Sequence, residues 1–313
     1  MHVAYLSPFA GIPQHYEAAA VTHEPTPRLQ IPDLLARLAK GGGPRLEAVE
    51  PMIQGATGAW LVRWPDGRPG VLTWAPPPPP GTSGGLDRAL ALVDVAWRAG
   101  LPAPRYQAVL PLRRGDVVVV QEPAPGVPVP GAPGPGLVDH LLELAERRRG
   151  LLRGHRLAYE QTSLSLRADG QGYCLHAPLA DHDDRTRALL AHVEAIGAEP
   201  GADAFGGEDL VHFDYHTGNV LVDGRDAHRV TAIVDWTGAR GGDVALDLAV
   251  LAFDVSRRAP DLAARVERRL LDTTAPADVR RIWAHVALRM VDWALRHHPE
   301  HLDHWLAVAP RYL

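Results

Sequence analysis

The sequence predicts an α+β protein of two lobes, a small mixed-sheet lobe followed by a mostly helical one. Three observations carry this. Runs of β-type residues joined by tight turns crowd residues 46–122, helix-period runs dominate beyond residue 137, and a Pro/Gly-rich stretch at 123–136 lies between them. A length of 313 residues also suits two domains of roughly 100–200 residues each.

Taken in order, residues 1–30 carry Pro8, Pro13, Pro25 and Pro27 without a hydrophobic period, and an irregular arm is expected. The small lobe, 31–122, opens with a helix over Pro32–Lys40, with Leu34, Leu35 and Leu38 on one face and Gly41-Gly-Gly43 as its stop. Leu46–Ile53 reads as a strand. Ala59–Trp64 and Val71–Trp74 then form a hairpin about Pro65-Asp-Gly67. Pro76–Gly85 is an exposed loop, and Leu86–Ala99 a helix that places Leu86, Leu90, Val93 and Trp97 together. Val109–Leu112 and Val117–Glu122 make a second hairpin. Trp60, Trp64, Trp74 and Trp97 are expected in the lobe's core.

The second lobe, 123–313, should hold helices at Leu137–Arg149, Arg185–Ile196, Val244–Ser256, Asp261–Leu271, Ala277–His297 and Leu302–Ala309. A strand pair, Leu164–Arg167 with Gly172–His176, should interrupt them. Arg147-Arg-Arg149 reads as a charge cluster at a helix C-terminus and His297-His298 as a solvated helix end.

Composition narrows the function classes. A net charge of −5 offers no basic footprint, which excludes nucleic acid as an expected partner. A single cysteine, Cys174, leaves no internal disulfide and fits a reducing compartment. Neither a signal peptide nor an apolar run of the ~18 residues that span a membrane is visible. A cytoplasmic location is expected.

The chemistry concentrates in His212-Phe-Asp-Tyr-His-Thr-Gly-Asn219-Val-Leu221 and Ile233-Val-Asp-Trp236. Moving a γ-phosphoryl group requires a carboxylate to orient or deprotonate the acceptor hydroxyl and oxygen ligands for Mg²⁺. Asp214 suits the first task. Asn219, five residues on, and Asp235, at the end of the apolar run Val230–Val234, suit the second. His212, Asp214 and His216 at i, i+2, i+4 could instead bind zinc, but Gly218 and the flanking β-type residues argue for a loop.

These residues, with Gly242-Asp-Val-Ala-Leu-Asp247-Leu-Ala249, resemble the aminoglycoside phosphotransferase family, relatives of choline and protein kinases. The resemblance runs from about Leu46 to the C-terminus. It implies a two-lobed protein-kinase-like fold with ATP between the lobes, Asp214 as catalytic base, Asn219 and Asp235 as Mg²⁺ ligands, His212 as a structural loop residue and Asp247 as a buried structural acceptor. Gln121-Glu122-Pro123 would resemble the hinge that hydrogen-bonds adenine. Gly55 and Gly58 in Gln54–Gly58 fall where the phosphate-covering hairpin lies. The acceptor would be a small molecule with a hydroxyl group. Asp181, Asp183, Asp184, Asp254 and Asp292 would suit a cationic one.

The small lobe departs from that pattern. The lysine expected on the third strand is replaced by Thr73, the chain's one lysine is Lys40, and no glutamate occurs between Glu50 and Glu122. Either an arginine such as Arg63 or Arg68 grips the phosphates, or the protein is a pseudokinase-type binding or regulatory module with weakened nucleotide binding.

Overall fold

The computed structural model describes residues 31–52, 59–75, 85–111, 117–156, 159–170, 172–202 and 205–313. The expected arm at 1–30 and the glycines Gly55 and Gly58 lie outside them. In chain order the elements are α1 (Ile31–Lys40), β1 (Glu47–Met52), β2 (Ala59–Arg63), β3 (Pro69–Ala75), α2 (Gly85–Arg98), β4 (Tyr106–Pro111), β5 (Val117–Gln121), β6 (Val127–Pro128), α3 (Pro135–Glu146), α4 (His176–His182), α5 (Asp184–Gly197), β7 (Asp209–Val211), β8 (Val220–Val222), β9 (Val230–Ile233), β10 (Arg240–Gly242), α6 (Ala245–Ser256), α7 (Pro260–Thr273), α8 (Pro276–His297) and α9 (Leu302–Val308). The chain divides into two compact units. One holds residues up to Pro130 together with Gly218–Thr237; the other holds Gly131–Thr217 and Gly238–Leu313.

The first unit is built on a five-stranded sheet in the order β1-β2-β3-β5-β4. Strand alternation decides its two faces. Leu72, Val62, Val118 and Val120 point to one side, where Ile31, Leu34 and Leu38 of α1 cover them. Val71, Ala59 and Met52 point to the other, where Leu221, Ala232 and Val234 complete a second apolar cluster. That second cluster explains why residues 218–237, expected in the helical lobe, group with the sheet: β6, β8 and β9 form a small antiparallel sheet of their own whose apolar side chains pack there. The β2–β3 turn uses Gly67 at φ +85°, as its Asp-Gly signal requires.

Gly126, just before β6, has φ +115°, and a Cβ there would sit 2.1 Å from Thr231 Oγ1 and 2.6 Å from the Val222 carbonyl oxygen. Gly126→Ala is therefore expected to destabilise the protein by roughly 1–3 kcal/mol, read as a lower denaturant midpoint with an unchanged m-value.

Of the four tryptophans expected in this lobe's core, three pack against the sheet and one does not. Trp60, Trp64 and Trp74 pack partly buried against the α1 side of the sheet. Trp97 is 42% exposed, and the Arg105 guanidinium lies 4.4 Å from its ring centroid. The buried face of α2 is formed instead by Ala89, Leu92, Val93 and Ala96.

The second unit centres on α6 and α8. Every residue of α6 from Ala245 to Ser256 is buried, as is α8 from Ile282 to Ala294; helices buried on all sides belong inside a core. Phe253 of α6 meets Trp283 of α8 at 4.5 Å and Trp305 of α9 at 6.0 Å between ring centroids. The expected strand pair at 164–167 and 172–176 does not form among the described residues. Gly172 and Cys174 take positive φ (79° and 53°), and Asp169 Oδ1 accepts the His176 N–H at 2.8 Å, closing the segment as a loop and opening α4. Cys174 is fully buried and burial pushes its thiol well up, so it is inert.

Among the described residues no helix is long and apolar enough to cross a membrane.

Candidate active site

In the second unit, β7 leads into the loop that carries Asp214, and Asp247 at the start of α6 shapes that loop. Its carboxylate is fully buried and accepts three N–H groups: His212 N at 2.7 Å, Phe213 N at 2.8 Å, and the guanidinium of Arg148. Arg148 is equally buried and lies 4.2 Å over the Tyr215 ring, whose hydroxyl donates to the Leu141 carbonyl at 2.8 Å. Nothing in the sequence separates Arg148 from its neighbours in Arg147–Arg149; α3 ends at Glu146, and the tight turn after it turns Arg148 inward. The expected surface cluster therefore contains a core ion pair.

With two consecutive N–H groups fixed by one carboxylate, Phe213 is held at φ +73°. Bulky residues seldom adopt that region, at a cost of about 1–3 kcal/mol. Its ring is 3% exposed, with the Arg240 guanidinium 3.7 Å away and the Tyr173 ring edge-on at 5.3 Å. Asp214 follows, half-buried. Arg289 donates to its Oδ1 at 2.7 Å, and His216 Nε2 lies 3.3 Å from its Oδ2. Burial alone would raise the pKa of Asp214, but the charges of His216 and Arg289 outweigh it and hold the carboxyl well below its usual range. His212 is fully buried, its Nδ1 accepting the Asp214 N–H at 3.3 Å, which is a loop-shaping contact. Thr217 closes the loop: its N–H and hydroxyl both donate to Asp254 Oδ2, at 2.9 and 2.5 Å, and Arg258 donates to its hydroxyl oxygen and to the Gly131 carbonyl.

Asn219 and Asp235 belong to the first unit and lie at the same end of the β8–β9 hairpin. Val220 pairs with Ile233, and the Asn219 carbonyl accepts the Val234 N–H at 2.9 Å. Asp235 takes φ +60°, and Thr237 donates to its Oδ1 at 2.8 Å. Burial and, after it, the Asp235 charge push the Tyr106 phenol far up. An amide and a carboxylate at one hairpin end are hard oxygen donors, which suit Mg²⁺.

Gln121 is buried in β5, paired with both Val71 and Tyr106. The N–H of Glu122, the other residue expected at the hinge, donates to the Arg105 carbonyl at 2.8 Å. Thr73 lies mid-strand opposite Val119. Arg63 and Arg68, the expected substitutes for the missing lysine, are held in exposed ion pairs with Glu47 and Asp66 at the far end of the β2–β3 hairpin.

Other expected sites resolve differently. Asp183 caps α5 with a reciprocal Thr186 bond, Asp184 pairs with Arg187, Asp254 holds Thr217, and Asp292 takes Arg296 with both oxygens. These four carboxylates already have partners. His212, Asp214 and His216 do not gather their ligand atoms as a zinc site would. Among the described residues His298, Glu300 and His301 do, but Arg257 Nη1 already sits 3.0 Å from His301 Nε2, and a guanidinium there opposes a cation.

His285 of α8 is fully buried beside this loop, 6.3 Å from the Phe213 ring. Its Nδ1 accepts the Ser165 N–H at 3.0 Å, so the neutral ring carries its proton on Nε2. Burial, then Arg289 and Arg240, lower its pKa from 6.5 to about 3. The unfolded chain therefore takes up this proton first as the pH falls. His285 is expected to contribute full stability above pH 6.5 and to lose it toward pH 3, at up to about 1.4 kcal/mol per pH unit. Unfolding free energies measured across that range should flatten in His285→Gln, which keeps an acceptor and does not titrate.

Comparison with known proteins identifies the family. The sequence profile of the phosphotransferase enzyme family matches residues 49–282. The chain belongs to that family and is a phosphotransferase. Solved structures of similar fold include a thermostable mutant of aminoglycoside phosphotransferase APH(4)-Ia in its apo form (TM-score 0.59, 18% identity, 88% of this chain and 96% of that one). A variant of the same enzyme in ternary complex with ADP and hygromycin B gives 0.56 and 17%, covering 88% and 95%. An aminoglycoside-3'-phosphotransferase of type VIII gives 0.53 and 22%, covering 82% and 98%. At such identities they establish the kinase-like α+β fold. No curated protein sequence matches the chain.

Proposed function

We propose that the protein transfers the γ-phosphoryl group of ATP to a hydroxyl of a small molecule, with Asp214 as the carboxylate that orients and deprotonates the acceptor. The observation that carries the reading is the loop around Asp247. A buried carboxylate fixes two successive N–H groups and imposes an unfavourable φ on Phe213, and the residue so presented is a half-buried, ionised aspartate. Backbone strain of this kind persists only where surrounding bonds enforce it, which supports a functional role for the next residue.

In this reading Asn219 and Asp235 hold Mg²⁺, which when bound neutralises phosphate charge. Asp214, already ionised, accepts a hydrogen bond from the acceptor hydroxyl and selects the lone pair that faces the phosphorus. Its low basicity suits a loose transition state, in which the hydroxyl proton is lost late. His212 and Asp247 act on the loop and touch neither substrate. Glu122 and Gln121 contribute backbone groups to adenine. The solved structure in ternary complex with ADP and hygromycin B supports a nucleotide and a second, small-molecule substrate. The four partnered carboxylates do not single out a cationic one.

A second reading has its own observation. Neither Arg63 nor Arg68 stands near Thr73 along the hairpin, so the small lobe's usual phosphate cation is not replaced by them. That favours a nucleotide-binding or regulatory protein with a weak grip on ATP. A phosphotransfer screen with Mg-ATP over aminoglycosides, amino alcohols and neutral sugars separates the two. Transfer to any acceptor, lost in Asp214→Asn, supports the enzyme; millimolar or absent Mg-ATP binding with no transfer supports the alternative.

A further inference from the structure

Arg289 sits within the apolar run of α8. It is 2% exposed on a helix buried from Ile282 to Ala294, so its stem has little freedom. Its guanidinium donates through Nη1 to the Phe213 carbonyl and through Nη2 to Asp214 Oδ1 at 2.7 Å, gripping both halves of one dipeptide. It also lies 4.9 Å from the Phe213 ring, which Arg240 at 3.7 Å and Tyr173 at 5.3 Å also flank. His216 Nε2 meets the second oxygen of Asp214 at 3.3 Å. The carboxylate is thus held from two directions, by the loop itself and by a helix 75 residues further along the chain.

We infer that Arg289 is the positioning residue of the phosphoryl transfer: its planar fork sets the plane of the Asp214 carboxylate and the Phe213–Asp214 peptide, and so aims the lone pair that receives the acceptor hydroxyl. The inference rests on the phosphotransferase reading with Asp214 at the acceptor. A fork with fixed donors defines an orientation, whereas an ammonium is a point charge on a flexible stem and supplies charge without a plane. A group serving only to balance buried charge would be replaceable by lysine. A group that acts elsewhere than on Asp214 would matter equally with or without the Asp214 carboxylate.

Single-turnover hydrolysis of Mg-ATP, with water as the acceptor, tests this in five proteins: wild type, Arg289→Lys, Arg289→Met, Asp214→Asn and Asp214→Asn/Arg289→Met. Arg289→Met is expected to lower the rate by about 10²-fold, the size of effect that follows misplacement of a reacting group. Half-saturation by ATP should stay within about twofold, as for an interaction made only in the transition state. Arg289→Lys should recover part of the rate. In the Asp214→Asn background, loss of Arg289 should change the rate by less than about twofold, because the two residues act as one unit. Equal losses in both backgrounds, or a wild-type rate in Arg289→Lys, would overturn the inference and leave the phosphotransferase reading standing. A wild type that neither binds nor turns over Mg-ATP overturns both. Should Arg289→Met fail to fold, Arg289→Lys alone decides: about a tenfold lower rate at unchanged half-saturation supports positioning, and an unchanged rate contradicts it.

Discussion

Asp214→Asn is expected to lower phosphoryl transfer by about 10²–10⁴-fold, the usual contribution of a positioned acid–base group, while Mg-ATP remains bound. Asparagine is the informative substitution. It keeps the shape and an acceptor for Arg289, so the loop stays in place, but it cannot take a proton. Alanine would leave the buried guanidinium of Arg289 facing an empty position and would mix instability with lost chemistry. The check is a comparison of single-turnover transfer with nucleotide affinity by calorimetry. A mutant that loses both binding and turnover would place Asp214 in the nucleotide site instead.

The largest effect on stability is expected at Asp247. Removing it in Asp247→Ala leaves Arg148 charged and buried without its counter-ion, and strips His212 N and Phe213 N of their acceptor. Breaking a buried pair from one side costs about 3–5 kcal/mol, a large part of the ~5–15 kcal/mol that holds a typical protein folded. Relief of the strain at Phe213 returns only a fraction of that. Urea unfolding should show the loss. The double replacement Asp247→Asn/Arg148→Met, which removes both charges, should be less destabilised than Asp247→Ala despite being the larger change. If instead the two losses add, the pair is not coupled and Asp247 does not organise the loop as described.

The legible part of the molecule follows from what periodicity and spacing encode. The β2–β3 hairpin was readable because Asp66-Gly67 specifies its turn and the flanking residues alternate; α6 and α8 were readable because long helical periods leave little ambiguity. Asp214, Asn219 and Asp235 were readable as an ordered set in one short segment. Arg148 and Arg289 were not, because each is an arginine in a helical context whose sequence neighbours say nothing of a partner 99 or 75 residues away. A buried cation is recognisable only once its counter-ion is found. The segment at 164–176 misled for a related reason. Its apolar residues suggested strands, but the Asp169 carboxylate caps the His176 N–H and turns the chain into α4. Gly218–Thr237 grouped with the sheet because its apolar side chains complete that sheet's second cluster, which a boundary drawn from proline and glycine alone does not register.

The central claim is that this chain is a working phosphotransferase whose metal ligands are Asn219 and Asp235. Calorimetric titration of Mg-ATP into the wild-type protein and into Asp235→Ala tests it most directly, since Asp235 is half-exposed at a hairpin end and its removal leaves the apolar cluster around Val234 intact. The account predicts binding that requires Mg²⁺ in the wild type and weakens by about tenfold or more in the variant, the scale of one lost charged ligand. Wild-type binding indifferent to Mg²⁺, or equal affinity in the two proteins, would contradict it.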